Sequence, residues 1–239
     1  MNGSGDSRPV KICVVGAGST YTPELVEGLI DEHPALQVRE LAFVDINRDR
    51  LENLGAFARR MFAAAGLSVP VTLTDDRRTG IEGADFVLNQ IRVGGQAARI
   101  RDEKTGRRHD VVGQETTGPG GFAKALRTIP VALAIATDIR ELSPDAWMIN
   151  FTNPAGMVTE SLLRFGGIKI MGLCNSPFGL QSEVAKLLGV DAARVWMDYV
   201  GLNHLSWVRS VFVDGVDRMA EVLACMTEGD PDGTFDREL

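Results

Sequence analysis

The stretch "GLCNSP", residues 172 to 177, sets a thiol, Cys174, beside a carboxamide, Asn175, just ahead of a proline. Farther along, "YVGLNHL" ends a second apolar stretch on His204. Thiolate and neutral imidazole both suit a borderline divalent ion, so the two residues could form half of a metal site. A buried thiol and a structural imidazole would account for the same residues without any metal.

A second chemical signal is "GAGSTYTPEL", which begins at Gly16 directly after the apolar run "VKICVV". Gly16 permits a tight turn, Gly18 lets the backbone approach a pyrophosphate, and the helix that follows offers unpaired N–H groups to the anion. Ser19 and Thr20 belong to the same turn. Tyr21 stands where the third glycine of G-x-G-x-x-G would be, so helix and strand must be spaced differently. The next strand, "ELAFVD", ends at Asp45, about 27 positions after Gly18, near where a carboxylate binds the adenine ribose of NAD rather than NADP. The plainer alternative is a glycine turn with an exposed aspartate.

In "MINFTNPAG", Asn153 follows a buried strand and precedes Pro154, which favours an extended conformation at Asn153. That is the carboxyl edge, where open α/β sheets bind ligands, although Asn before Pro is also an ordinary turn residue. Basic residues gather in "IRVGGQAARIRDEKTGRRH": Arg92, Arg99, Arg101, Lys104, Arg107 and Arg108. Such a run commonly forms a solvated helix face, yet it follows a strand end, and one guanidinium could hold an anionic substrate bidentately. The glycine-rich loop "GQETTGPGG" around Glu115 reads as polar, poor in core, and able to reach a site.

The elements that must position these residues follow from the apolar pattern. Near-continuous apolar runs at 10–16, 40–45, 69–74, 84–91, 146–151 and 168–174 predict buried parallel strands. Amphipathic segments at 23–32, 48–66 and 176–189 predict helices between them, with Gly66 and Gly189 as stops. The fold class is therefore α/β, a Rossmann-like doubly wound parallel sheet, followed by the start of a second α+β domain. The expected division is a disordered tail at 1–9, a nucleotide-binding domain at 10–190, and the beginning of a substrate and metal domain at 191–239.

Composition narrows the classes. The 239 residues are 44% hydrophobic and 24% charged, an ordinary globular balance. The net charge of −7 leaves no basic surplus for a phosphate backbone, which argues against nucleic acid. The longest apolar stretch, near "IPVALAIA", is short for a membrane span, and "MNGSGDSRPV" lacks a signal-peptide core, so a cytoplasmic location is expected. Three scattered cysteines, Cys13, Cys174 and Cys225, suit a reducing compartment.

Taken as a set, "GAGSTYTPEL", "IRVGGQAARIRDE", "VVGQETTGPGG", "NFTNPAG", "CNSP" and "VGLNHL" resemble the NAD-dependent family 4 glycoside hydrolases, over nearly all of the chain after residue 10. The resemblance implies NAD at the first turn and a divalent metal, normally Mn2+, on Cys174 and His204. It also implies Arg99 as a substrate or phosphate contact, Asn153 at the sugar hydroxyls beside the nicotinamide, and Glu115 in the pocket. Members acting on α-linked sugars tend to carry Asp where Asn175 stands, so a 6-phospho-β-glucosidase is implied, with a phosphorylated disaccharide or β-glucoside as substrate.

The implied chemistry departs from the usual carboxylate pair. Hydride leaves C3 of the sugar, the C2 proton becomes acidic, the aglycone is eliminated, water adds, and hydride returns. Family members continue well past the equivalent of Leu239. The chain is accordingly expected to be the N-terminal part of an enzyme, inactive alone and a homo-oligomer at full length, with the general base beyond Leu239 and Glu115 a weaker candidate. Two rivals stay open: a lactate or malate dehydrogenase-like oxidoreductase, which would need a His with a carboxylate partner and no metal, and a non-catalytic NAD-binding fragment.

Overall fold

The computed structural model describes residues 8–228, so most of the tail expected at 1–9 lies outside the described residues. Arg8 and Pro9 are exposed coil, with the Arg8 guanidinium 2.5 Å from Asp85. The chain forms two compact units that divide between Leu173 and Cys174. The boundary expected after residue 190 falls inside the second unit.

In the first unit, β1 (Val10–Val15), β2 (Val38–Val44), β3 (Val71–Thr74), β4 (Phe86–Asn89), β5 (Trp147–Asn150) and β6 (Lys169–Gly172) form one parallel sheet in the order β3-β2-β1-β4-β5-β6. All six predicted strands are present, each shorter than or shifted from its apolar run by a few residues. β1 is buried along almost its whole length because it lies centrally, hydrogen-bonded to β2 on one side and β4 on the other. Sequence order reverses direction at β1, and this is the crevice where such sheets bind ligands.

Helices α1 (Thr22–Asp31) and α2 (Arg48–Ala64) cover one face, burying Val26, Leu29, Leu51, Ala58 and Phe62 against Ile12, Val14, Leu41 and Phe43. Asn47 caps α2 by accepting from the Arg50 N–H. The short α3 (Arg77–Ile81) is capped in the same way by Asp76. α4 (Gly95–Arg107) carries Arg99, Arg101, Lys104 and Arg107 of the basic run, with Arg92 and Arg108 outside its ends, and α5 (Gly118–Leu142) is the longest of the described helices. α5 buries Ala132, Ile135, Ala136 and Ile139 on the second face of the sheet, together with Val158 and Leu162 of α6 (Ala155–Phe165).

In the second unit, α7 (Ser176–Leu188) ends at Gly189, which has a φ of +63°. β7 (Val195–Leu202) and β8 (Leu205–Val213) form an antiparallel hairpin with the short β9 (Val216–Asp217) beside β8, followed by α8 (Met219–Glu228). Val184 and Ala185 of α7 share a small core with Val195, Val211, Val213 and Val222. This shared core ties α7 to the hairpin. None of the described helices is long and apolar enough to cross a membrane.

Candidate functional site

The first cluster forms where β1, β2 and β4 end. Gly16 has a φ of +94°, and a Cβ there would meet the Gln90 carbonyl oxygen at 2.8 Å. Only glycine fits that position without strain. Gln90 then pins the turn from the end of β4, its side-chain amide donating to the Gly16 carbonyl at 3.2 Å and to Thr22 Oγ1 at 3.0 Å. Thr22 Oγ1 donates in turn to the Ala17 carbonyl at 2.8 Å.

Gly18 serves the turn differently from the simple expectation. Its N–H donates to Asp45 Oδ2 at 2.7 Å, and a Cβ on Gly18 would stand 2.6 Å from that same oxygen. Asp45 Oδ1 meanwhile accepts from the Asn47 N–H at 2.8 Å. The half-buried carboxylate is thus oriented by two backbone donors, and Gly18 is needed for close approach to Asp45 as much as to any ligand. Ser19 is half-buried, its Oγ accepting from the Tyr21 N–H at 3.2 Å, and Thr20 is exposed. Tyr21, in place of the third glycine, packs edge-on against Phe151 with ring centroids 5.6 Å apart.

A buried amide pair fixes the next loop. Asn89 and Asn150 are register partners on β4 and β5, and Asn89 Nδ2 donates to Asn150 Oδ1 at 2.9 Å. Thr152 Oγ1 donates to the Asn89 carbonyl at 3.1 Å, which holds the chain immediately before Asn153. The sequence reading overlooked both asparagines. Their signal was a polar residue at the last position of two otherwise apolar strands.

Asn153 reaches Glu115, its Nδ2 lying 3.4 Å from Oε1. Glu115 is only 9% exposed, so the glycine-rich loop read as polar and poor in core is closely packed at this residue. The reason is close packing: a Cβ on Gly120 would meet the Gln114 carbonyl oxygen at 2.2 Å, and one on Gly121 the Thr116 carbonyl carbon at 2.5 Å. These two glycines let residues 114–116 lie directly on the first turn of α5. Lys124, one turn further along α5, then donates to Glu115 Oε2 at 2.5 Å, and Arg92 donates to the same oxygen.

Burial alone would raise the Glu115 pKa, but the hydrogen bonds and charges of Arg92 and Lys124 outweigh it and bring the value to about 2. A carboxylate held this strongly as the anion is a poor proton acceptor near neutral pH. Lys124 is pushed below its ordinary value, by burial first and by the charges of Arg92 and Arg99, against the opposing pull of Glu115. Arg99 Nε donates to Glu103 at 2.6 Å, and Arg99 Nη1 stands 3.6 Å from Glu115 Oε1. Lys124 was missed in the sequence. It sits on the buried stripe of α5 with Gly120, Gly121, Ala125, Thr128 and Ala132, where helical spacing leaves no solvated face for a charge.

The second cluster lies in the second unit. Cys174 Sγ stands 3.4 Å from His204 Nε2 and 3.5 Å from Ser176 Oγ. His204, between β7 and β8, has a φ of +60°, a region sparsely used by non-glycine residues. Its neighbour Asn203 has a buried Oδ1 without a hydrogen-bond partner among the described residues. Asn175 is exposed at the start of α7 and makes no side-chain cap bond. Cys13, by contrast, lies in the core, where burial pushes its thiol up to about 12. No cluster of three or more metal-capable side chains occurs among the described residues.

A family model described as "Family 4 glycosyl hydrolase" matches residues 11–190. The chain belongs to glycosyl hydrolase family 4. Within family 4 it is 50% identical over 228 residues to the "Probable 6-phospho-beta-glucosidase" of Bacillus subtilis (strain 168), covering 94% of this chain and 51% of that protein. It is 42% identical over 227 residues to the 6-phospho-beta-glucosidase of Escherichia coli (strain K12), covering 93% of this chain and 50% of that one. A solved structure of the Thermotoga maritima 6-phospho-beta glucosidase, with manganese, NAD+ and glucose-6-phosphate, superposes with a TM-score of 0.86 at 35% identity, over 95% of this chain and 54% of that chain. The chain spans about half the length of the curated relatives it matches.

Proposed function

We propose that this chain supplies the cofactor-binding and metal-binding part of a cytoplasmic 6-phospho-β-glucosidase that requires NAD and a divalent metal. The observation carrying this reading is the convergence of Cys174 Sγ and His204 Nε2 at 3.4 Å on residues 30 positions apart. A thiol and an imidazole are a suitable donor set for a borderline ion, and Asn203, next to His204 in the chain, has a buried Oδ1 without a hydrogen-bond partner among the described residues. When bound, NAD would accept and return a hydride, and the metal would act as a Lewis acid toward neighbouring sugar oxygens.

The chain's own residues have definite tasks in this reading. The Gly16–Ser19 turn brings the start of α1 toward a pyrophosphate, while its own N–H groups are taken by the Val44 carbonyl, the Asp45 carboxylate and the Gly16 carbonyl. Asp45 presents its remaining lone pairs to a ribose diol and disfavours a 2′-phosphate by like charge. Asn153 supplies an amide to the sugar hydroxyls, steadied by the Glu115 carboxylate. Arg99, with Arg92, addresses the sugar phosphate. Asn175, in place of Asp, matches the β-linkage named for the relatives at 50% and 42% identity. The low pKa of Glu115 argues against it as the base that takes the C2 proton, and supports an anchoring role instead.

The test is turnover of a chromogenic 6-phospho-β-glucoside by a full-length relative carrying these motifs, with NAD and Mn2+ each omitted in turn. The reading requires loss of aglycone release on either omission. Full activity without Mn2+ and NAD would contradict it.

A further inference from the structure

Lys124 is a charged residue on the buried stripe of α5, beside Gly121 and Ala125, and the reading above gives it no task. Its side chain is 2% exposed, and its Nζ stands 2.5 Å from Glu115 Oε2. Glu115 also receives Arg92 on Oε2, while its Oε1 lies 3.4 Å from Asn153 Nδ2, 3.5 Å from Arg92 Nη2 and 3.6 Å from Arg99 Nη1. Arg92 and Arg99, in turn, keep 34% and 39% of their side chains exposed. One carboxylate therefore joins a buried ammonium below to two partly exposed guanidiniums and an amide above.

Stability alone is a weak reason for such a pair. A buried ion pair commonly contributes no more than well-packed apolar residues of the same volume, because desolvation offsets the attraction. Its distinctive consequence is orientation. With Lys124 holding Oε2 from the α5 side, the carboxylate cannot rotate away, and Oε1 stays directed at Asn153 and the two arginines. Counting Glu103, which accepts from Arg99, the cluster has three positive and two negative groups, and the surplus positive charge lies on its exposed side.

We propose that Lys124 is a positioning residue: through Glu115 it sets the geometry with which Arg92, Arg99 and Asn153 meet a phosphorylated sugar. This rests on the phosphosugar reading given under the proposed function. The experiment is a calorimetric titration of glucose 6-phosphate, in the presence of NAD and Mn2+, into the parent protein, Lys124→Met, and the double variant Glu115→Gln/Lys124→Met. NAD affinity and thermal midpoint are recorded for each.

Lys124→Met should weaken glucose 6-phosphate about tenfold or more, with NAD affinity near that of the parent. The double variant, which removes both buried charges, should regain the thermal midpoint without regaining affinity for glucose 6-phosphate. That split is what a merely structural pair would not produce. Unchanged glucose 6-phosphate affinity in Lys124→Met would overturn the assignment, as would affinity that returns together with the midpoint in the double variant. If Lys124→Met does not fold, the double variant carries the test, and its failure to fold would assign the pair to stability and overturn the proposal. A parent that binds NAD but neither glucose 6-phosphate nor inorganic phosphate would overturn the phosphosugar reading itself, and the role of Lys124 with it.

Discussion

Cys174 Sγ lies 3.4 Å from His204 Nε2, and the two residues enter from different elements, one just ahead of α7 and the other at the turn between β7 and β8. Cys174→Ser should lower Mn2+ affinity at least about tenfold while NAD affinity stays near the parent value, because an alcohol is a far weaker ligand than a thiolate. In the parent, Mn2+ should slow alkylation of Cys174 by iodoacetamide, and Cys13 should remain unlabelled throughout because its buried thiol is held up near 12. Peptide mass spectrometry reads both effects, and equal labelling of Cys174 with and without Mn2+ would remove it from the metal site.

The Gly18–Asp45 contact makes a sharper test of the nucleotide turn than the glycine pattern does. Gly18→Ala would drive a methyl group to within 2.6 Å of Asp45 Oδ2 and break the bond that orients this carboxylate. NAD affinity should fall by about tenfold or more, the scale of one charge-assisted hydrogen bond. Asp45→Ala should weaken NAD similarly and narrow its preference over NADP. Parent-like NAD binding in both variants would exclude this turn as the cofactor site.

Glu115 gives a pH signature of definite sign. Its pKa in the folded protein, about 2, is below the ordinary 4.5, so folding favours the ionised form. The resulting stabilisation is complete above about pH 4.5 and is lost as the pH falls toward 2. A shift of that size corresponds to about 3 kcal/mol. Glu115→Gln should therefore be less stable than the parent at pH 7, and the gap should shrink below pH 4.5. Urea unfolding at pH 7 and pH 3 measures it, and a gap independent of pH would show that the carboxylate is not held as described.

The hairpin carries an apolar outer face. Trp196 opposes Phe212, Val200 opposes Trp207 and Leu202 opposes Leu205, while Trp196, Leu202 and Trp207 are 62%, 68% and 62% exposed. Exposed apolar pairs of this kind promote association, although Asp198 and Ser210 lie between the first pair and the other two. Leu202→Lys/Trp207→Lys should raise the soluble yield of this chain without lowering NAD affinity, as sedimentation and calorimetry would show. An unchanged yield would mean that this face does not limit solubility.

The sheet was legible because parallel strands buried on both faces leave near-continuous apolar runs, and Asp45 and Asn153 marked two strand ends by their chemistry. α5 was not legible as a 25-residue helix, since it opens on Gly118-Pro119-Gly120-Gly121 and contains Pro130, all of which read as breakers. That misreading hid the site's interior. Once α5 is seen, Gly120 and Gly121 become the surface on which residues 114–116 pack, and Lys124 falls on the buried stripe. The link between Cys174 and His204 came from a family resemblance, because two metal-capable residues 30 apart carry no spacing rule of their own.

The central claim is that the glycosidic bond is broken after C2 deprotonation rather than by a carboxylate pair. The most direct measurement is turnover of a 6-phospho-β-glucoside in D2O by a full-length relative carrying these motifs, with NAD and Mn2+, alongside the rate with substrate deuterated at C2. The account predicts deuterium at C2 of the released glucose 6-phosphate and slower release from the deuterated substrate. Aglycone release with an unlabelled C2 and no rate difference would contradict it, and would return the reaction to ordinary hydrolysis.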